Sequence, residues 1–282
     1  MIELLGKPVA QARKAVLLEH MQALVDQGVT ITLGILLVGD DSAAKMYATF
    51  MEKVAKGANF GTELVELPAT ATQEEVEAVI HRFNADERIY GVLPLMPMPK
   101  HIDSEAVIGA LDPAKDIDGL TTYNIGLVSS GKGGYVPCTP KACMAIIDHY
   151  GIELAGKKVV VLGRSQVVGK PVALLVLERN ATVTICHSRT QNLEDELAQA
   201  DVVIAAVGKA HMVHGSMLKE GCVVIDVGIN DLEGQTVGDV DFASASAVAS
   251  AITPVPGGVG SVTTTMMLEG LYEAYYARNG HR

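Results

Sequence analysis

Residues 157–178 form a predicted strand, glycine turn and helix, and this segment constrains the fold most strongly. Residues 159–162 are a short apolar run, which is typical of a buried parallel strand. The turn Gly-Arg-Ser-Gln-Val-Val-Gly-Lys-Pro follows, and a helical pattern resumes behind it. This order places backbone N–H groups and a helix N-terminus beside a glycine turn, an arrangement that holds phosphate-bearing cofactors. The segment therefore predicts a Rossmann-like nucleotide-binding domain.

The next predicted strand, residues 181–187, bears on which cofactor would bind. It ends in Cys-His-Ser-Arg-Thr without the carboxylate that binds the ribose 2′-hydroxyl of NAD. Arg164, His187 and Arg189 form a local basic cluster there, which favours the 2′-phosphate of NADP. Each charge-assisted hydrogen bond to that phosphate contributes roughly 1.5–3 kcal/mol. The glycine spacing G-x-S-x-x-x-G differs from the usual G-x-G-x-x-G fingerprint, so a turn that only connects two elements remains an alternative.

Composition limits the classes of protein to which the chain can belong. Its 282 residues are enough for two domains, each with its own core. Twenty-two basic and 33 acidic residues give a net charge of -11, which disfavours nucleic acids and anionic membranes as partners. The longest apolar runs, such as residues 31–38, are far shorter than the roughly 20 residues that span a bilayer. Because the N-terminus also lacks the pattern of a signal peptide, we expect a cytoplasmic protein.

The cysteine and histidine positions predict neither disulfides nor a metal site. Four cysteines lack the C-x-x-C pairs and spacings of zinc ligands, so reduced thiols are expected. His211 and His214 are three residues apart, but no third ligand is nearby in the sequence. We therefore expect no bound metal.

Alternating strand and helix patterns predict an α/β fold with two domains. The first half contains helical patterns at 9–27, 41–57, 72–85 and 101–111 and strand patterns at 30–38, 62–67 and 89–95. Thr72 and Glu75 form a capping box at the third helix. A segment rich in Gly, Ser and Pro, residues 112–140, predicts a domain junction. The predicted domains are residues 1–120 with a C-terminal helix at 262–282, and a second βα series at 141–261 with strands near 157–163, 181–187, 201–207 and 222–227.

With these blocks in place, nearly the whole chain resembles the methylenetetrahydrofolate dehydrogenase/cyclohydrolase (FolD) family. The similarity rests on motifs spread along the sequence: VGDD with Tyr47, PMPKHI, KDIDG, PCTP, GRSQVVGKP, CHS, VIDVGIN, GDVDF and TPVPGGVG. The resemblance implies an N-terminal catalytic domain and a Rossmann-like NADP-binding domain with a cleft between them. It also implies a cytoplasmic homodimer that oxidises 5,10-methylenetetrahydrofolate with NADP and then adds water to the methenyl product.

The resemblance also assigns roles to individual residues. Tyr47 and Asp118 are the implied catalytic residues, because Tyr47 stacks on and positions the folate and Asp118 hydrogen-bonds its pterin. NADP is implied to be held by Gly163, Arg164, Ser165, Ser188 and Ile229. Three more substrate-binding residues are implied to lie along the cleft: Pro256, Gly257 and Gly258.

Two positions depart from the family pattern, and both belong to the water-addition step. The family has a lysine four residues after the tyrosine, where this chain has Met51. The family has a glutamine two residues before Pro97, where this chain has Leu95. Hydride transfer depends on alignment and nitrogen lone pairs, whereas water addition needs a positioned acid–base group worth about 10²–10⁴ in rate. We therefore expect dehydrogenase activity to persist and cyclohydrolase activity to be absent or severely reduced.

Three alternatives stay open at this stage. Lys53 is a candidate substitute, but at about 100° per residue it lies on the side of the helix opposite Tyr47, so the helix would have to break. A fully bifunctional enzyme with another proton carrier is the second alternative. The third is a protein that binds folate and NADP without catalysis and acts as a partner subunit.

Overall fold

The computed structural model describes residues 1–280, and the chain forms two compact units. One, here called the six-stranded unit, comprises Met1–Ala12 and Pro137–Met266. The other, the three-stranded unit, comprises Arg13–Val136 and Met267–Arg282, of which residues up to 280 are described. In this described part of the chain, no helix combines the length and apolar character needed to cross a bilayer.

The elements alternate along most of the chain. The α-helices are α1 (Gly6–Val25), α2 (Ser42–Lys56), α3 (Gln73–Ala85), α4 (Ser104–Gly109), α5 (Thr122–Ser129), α6 (Cys138–His149), α7 (Gly169–Glu178), α8 (Leu193–Leu197), α9 (Phe242–Ser246) and α10 (Thr263–Asn279). The strands are β1 (Ile2–Glu3), β2 (Thr32–Val38), β3 (Gly61–Leu67), β4 (Ile89–Pro94), β5 (Lys158–Leu162), β6 (Thr182–Cys186), β7 (Val202–Ala205), β8 (Val223–Asp226), β9 (Asn230–Leu232), β10 (Gln235–Val237) and β11 (Ala251–Ile252).

The three-stranded unit is built on a parallel sheet in the order β3-β2-β4. Strand β2 is central and almost completely buried, as expected of an apolar strand between two neighbours. Helix α3 begins with the predicted capping box, in which Thr72 and Glu75 bond each other's backbone N–H groups. Phe83 of α3 is buried in a core that it shares with Leu36 of β2 and Val92 of β4. This core packs α3 against the sheet.

The six-stranded unit is a parallel sheet in the order β1-β11-β8-β7-β5-β6. Strand β5 pairs with β6 and β7, and its Leu162 lies opposite Cys186 and Ala205 at the carboxyl ends of those strands. A small antiparallel hairpin of β9 and β10 follows β8. The two-domain α/β architecture and the nucleotide-binding topology predicted from the sequence are both confirmed.

The unit boundaries differ from the predicted domain limits at three places. Residues 1–12 lie in the six-stranded unit because β1 pairs with β11, with Leu4 N donating to Ile252 O at 2.8 Å. The predicted junction contains α5, and residues 121–136 belong to the three-stranded unit. Helix α10 is divided after Met266, so only its later part belongs to the three-stranded unit. There Arg278 lies over the Tyr90 ring, 4.8 Å from its centroid.

Candidate functional site

Helix α2 carries the tyrosine that the sequence predicts to contact the substrate. The Asp41 carboxylate caps this helix by accepting from Ala44 N at 2.8 Å. Tyr47 is 38% exposed, and its ring lies 6.5 Å from that of Phe50. Met51, one turn further, is 0% exposed. The helix therefore presents an aromatic ring at the surface of its unit and buries the thioether behind it.

Leu95 follows directly after β4 and is also buried, with 4% of its surface exposed. Its backbone N–H donates to Leu36 O at 2.8 Å, which extends the pairing of β4 with β2 by one residue. The peptide bond between Met96 and Pro97 is cis. Thus Met51 and Leu95, the two positions at which a departure from the family pattern is expected, both carry buried apolar side chains in the three-stranded unit.

Of the three lysines of α2, two are ion-paired and the third is exposed. Lys45 pairs with Asp40 at 2.7 Å, and Lys56 pairs with Glu52 at 3.3 Å. Lys53 is exposed, and α2 runs without interruption from Ser42 to Lys56. The helix break that Lys53 would need in order to face the Tyr47 side is therefore not present.

Asp118 lies in a tightly bonded turn. It is half-buried, whereas its neighbours Lys115 and Asp116 are almost completely buried. Lys115 Nζ donates to three backbone carbonyls, and the Asp116 carboxylate accepts from two backbone N–H groups and the Asn124 amide. The turn that presents Asp118 is therefore anchored by two buried charged groups, the Lys115 ammonium before it and the Asp116 carboxylate, which holds the backbone after it.

In the six-stranded unit, Gly163 makes the turn between β5 and α7. Its φ of +125° is unfavourable for a residue with a side chain, and a Cβ there would collide with Ala206 O. Ser165 Oγ accepts from Val168 N at 3.2 Å and Gly169 N at 3.3 Å, at the start of the helix. The serine thus organises the turn in addition to being a predicted cofactor contact.

Replacing Gly163 by alanine is expected to destabilise the protein by about 3 kcal/mol or more, because backbone strain and overpacking add. Thermal unfolding measures the effect. Gly156→Ala is the matched control: its φ is +73° but nothing lies within 4 Å of the new Cβ, so it should cost only about 1–2 kcal/mol. Equal losses in the two variants would contradict the close approach at Gly163.

The predicted basic cluster lies where the two strands end. Because Leu162 pairs with Cys186, Arg164 and Ser188 each follow a neighbouring strand by two residues. Arg164, Ser188 and Arg189 are exposed, and Arg189 N donates to His187 Nδ1 at 3.1 Å. These cations and hydroxyls, beside a turn with no room for a side chain, fit the phosphates of a dinucleotide.

Two buried carboxylates tie together the loops at the carboxyl edge of the six-stranded sheet. Asp226 accepts from the N–H groups of Gly228, Asp239 and Val240 at 2.9–3.0 Å. Asp239 is 0% exposed and bonds four donors, namely the N–H groups of residues 207–209 and the Asn230 amide. Burial raises the pKa of Asp226 to about 6, against the lowering effect of its three N–H donors. These bonds hold the Gly228 backbone before Ile229 and the Asn230 side chain after it.

Ile229, predicted as a cofactor contact, lines one cavity together with three of the residues predicted to bind substrate, whereas Tyr47 and Asp118 lie in the three-stranded unit. The cavity has a volume of about 290 Å³, and its lining includes Gly228, Ile229, Pro256, Gly257 and Gly258. Ile229 is 69% exposed, which is unusual for an isoleucine and leaves its side chain available to a ligand. The structure therefore brings these cavity-lining residues together within the six-stranded unit.

Lys115, Asp116 and Asp239 are candidate functional residues that were not predicted individually from the sequence. All three belong to motifs that carry the family resemblance, but buried and exposed charges look alike in a sequence. The position of Lys115 and Asp116 directly before an Asp-Gly turn is the sequence feature that could have indicated their role.

The cysteines behave as apolar core residues. All four are buried as free thiols, and burial raises the pKa of Cys143 to about 12 and that of Cys222 to about 11. Within residues 1–280, no group of three or more His, Cys, Asp or Glu side chains is arranged to hold a metal ion.

Comparison with known proteins covers both units. The catalytic domain of tetrahydrofolate dehydrogenase/cyclohydrolase matches residues 4–118, and the NAD(P)-binding domain of the same family matches residues 137–279. The bifunctional protein FolD of Geotalea daltonii is 47% identical over 270 residues, which are 95% of this chain and 96% of that protein.

Solved structures agree with this assignment. The bifunctional FolD methylenetetrahydrofolate dehydrogenase/cyclohydrolase of Campylobacter jejuni superposes with a TM-score of 0.96 at 38% identity and covers 99% of each chain. The Trypanosoma brucei FolD, solved with NADP and an inhibitor, gives a TM-score of 0.92 at 35% identity, with 100% of this chain and 99% of that chain covered. Because both of its domains match the family and its relatives match along nearly its whole length, the chain belongs to the tetrahydrofolate dehydrogenase/cyclohydrolase (FolD) family.

Proposed function

We propose that this protein oxidises 5,10-methylenetetrahydrofolate to 5,10-methenyltetrahydrofolate with NADP and adds water to the product only slowly or not at all. The substrate's bridging methylene loses a hydride, and the nitrogens on either side stabilise the resulting cation with their lone pairs. Bound NADP supplies the hydride acceptor. The observation that carries the proposal is that Met51 and Leu95, at the positions of the family's lysine and glutamine, are buried and apolar.

The side chains of this protein would orient the reactants for hydride transfer. Tyr47 is exposed enough to stack on the folate, and Asp118 would accept hydrogen bonds from the pterin. Holding two reactants in line supplies much of the rate enhancement of such a step, and no protein group has to carry a proton. The buried carboxylate network around Ile229 would keep the cofactor loop in one conformation.

Water addition makes a different demand on the site. A group must orient the water, accept a proton and assist ring opening. A thioether and an isobutyl group can do none of these three things, because they lack an acidic proton and a basic atom of useful strength. The lysines of α2 do not replace them, since Lys45 and Lys56 are ion-paired and Lys53 is exposed on an unbroken helix.

Measuring the two reactions separately in the purified protein tests the proposal. We expect nicotinamide reduction with methylenetetrahydrofolate at an ordinary enzymatic rate, and decay of added methenyltetrahydrofolate about 10²–10⁴ times slower than in a bifunctional relative. The spontaneous decay without protein is the baseline. Decay as fast as hydride transfer would show that another group carries the proton. Cofactor binding without any reduction would instead support a non-catalytic partner protein.

The preference for NADP is expected to depend on the basic cluster. Arg164→Ala and Arg189→Ala should each weaken NADP binding about 10- to 150-fold, because each removes a charge-assisted hydrogen bond of roughly 1.5–3 kcal/mol. Titration calorimetry with NADP and NAD measures this. NAD lacks the 2′-phosphate, so its affinity should change little in either variant. An equal loss for both cofactors would assign these arginines to a structural role.

A further inference from the structure

We propose that Lys115 is a positioning residue that holds Asp118 in place for pterin recognition. This inference rests on the proposed function, because it assumes that Asp118 contacts the substrate. It extends that function by one residue that does not itself touch folate. The geometry of the Lys115 side chain and of the turn from 115 to 119 carries the argument.

The Lys115 ammonium is buried and fully hydrogen-bonded. The residue is 5% exposed, and its Nζ lies 2.7 Å from each of the carbonyl oxygens of Phe83, Asn84 and Asp86. Those three bonds use all the donors that an ammonium has. The acceptors lie at the C-terminal end of α3 and just beyond it, where helix carbonyls lack partners within the helix and cations are favoured. The lysine therefore joins the end of α3 to the turn.

The main chain of Lys115 joins the same turn to the sheet. Its carbonyl oxygen accepts from Val92 N of β4 at 2.8 Å and from Ile117 N at 3.0 Å. Ile117 is buried against Gly91 of the same strand. Because the ammonium and the carbonyl of one residue hold two different elements, a change in the side chain is transmitted to the backbone next to Asp118.

The far side of the turn is fixed as firmly. Gly119 N donates to Asp116 O at 3.0 Å, and Gly119 has a φ of +60° with no room for a Cβ beside Tyr135 O. The Asp116 carboxylate accepts from the N–H groups of Leu120 and Thr121 at 2.9 and 2.8 Å. Asp118 is thus the half-buried member of a turn that is otherwise anchored on both sides. Without the Lys115 ammonium, three carbonyls lose a donor, one of them buried and two half-buried, and the N-terminal anchor is weakened.

A double-mutant cycle distinguishes positioning from a purely structural role. The variants are Lys115→Met, Asp118→Asn and the pair together, and the readout is kcat/KM for methylenetetrahydrofolate at saturating NADP. We expect Lys115→Met to lower kcat/KM about 10- to 100-fold, as displacement of a binding group by an ångström does. If the lysine acts through Asp118, the double variant is no worse than Asp118→Asn alone. NADP affinity, measured by calorimetry, should change less than about twofold in Lys115→Met.

Two further variants complete the test, one as a control and one as a substitute for Lys115→Met. Ile80→Val removes a buried methyl group from α3 at a residue that has no bond to Lys115, so it lowers the melting temperature but should leave kcat/KM within about twofold. Lys115→Gln, which keeps two N–H donors, replaces Lys115→Met in the cycle if the methionine variant does not fold. Effects that multiply in the double variant would overturn the positioning role. An Asp118→Asn variant with unchanged kcat/KM would overturn the role of Asp118 in the proposed function, and the inference with it.

Discussion

The combined variant Met51→Lys/Leu95→Gln is expected to gain about 10²-fold or more in the rate of methenyltetrahydrofolate hydrolysis. The lysine supplies a titratable amine one helical turn from Tyr47, and the glutamine supplies an amide that can hold it or the water. A positioned acid–base group contributes about 10²–10⁴ in rate, so a partly optimised one should reach the lower end of that range. The decay of methenyltetrahydrofolate, with the spontaneous rate subtracted, measures the gain.

A variant with apolar substitutions at the same two positions distinguishes the effect of the added polar groups from the effect of altered core packing. Met51→Leu/Leu95→Met changes the same two buried positions without adding a polar group, and such swaps usually cost less than about 1.5 kcal/mol. This control should show no gain in hydrolysis. Hydride transfer, followed as nicotinamide reduction, should stay within about tenfold of the original in both variants. Unchanged hydrolysis in a folded lysine/glutamine variant would refute the assignment of these two positions to water addition.

The Asp226 carboxyl should make stability depend on pH between about 4 and 6. Its pKa is about 6 in the folded protein and near 3.8 in the unfolded chain, so folding favours its protonated form. The stabilisation is therefore complete below about pH 4 and is lost as the pH rises through 6. A difference of about 2 pKa units corresponds to about 3 kcal/mol. The free energy of unfolding of the wild type minus that of Asp226→Asn should fall by up to this amount from pH 4 to 7.

Urea unfolding at a series of pH values measures that difference. Asp201→Asn serves as the control, because the hydrogen bond from the Lys219 ammonium holds the pKa of Asp201 below its usual value. Its contribution changes only below about pH 4, so the corresponding difference should be flat between pH 4 and 7. A difference that rises with pH for Asp226 would mean that its three N–H donors outweigh its burial.

Local sequence patterns predicted the elements well where apolar periodicity is strong. The strand at residues 32–38 is a nearly continuous apolar run and the helix at residues 73–85 begins with a capping box, and both lie within two residues of their predicted limits. Helix α5 was missed because it lies in a segment rich in glycine, where a helical pattern is weak. Strands β1 and β11 have two residues each and form through pairing distant in sequence, which periodicity does not reveal.

The residues of the candidate site also differ in how far the sequence predicts them. Motif resemblance indicated Tyr47, Asp118 and the glycine turn, because those residues are recognisable from their neighbours in the sequence. The supporting charges were not distinguishable from ordinary surface charges. Lys115 and Asp239 show their role only when the fold brings backbone groups from distant segments around them.

The path of the chain determines which parts of this protein can be produced as separate fragments. The polypeptide passes from one unit to the other after residues 12, 136 and 266, so neither unit corresponds to a single uninterrupted gene segment. A fragment of residues 137–266 would lack β1 and leave the edge of β11 open to other chains, which invites self-association. Separate production of the nucleotide-binding half therefore calls for a circular permutant or a fused N-terminal strand.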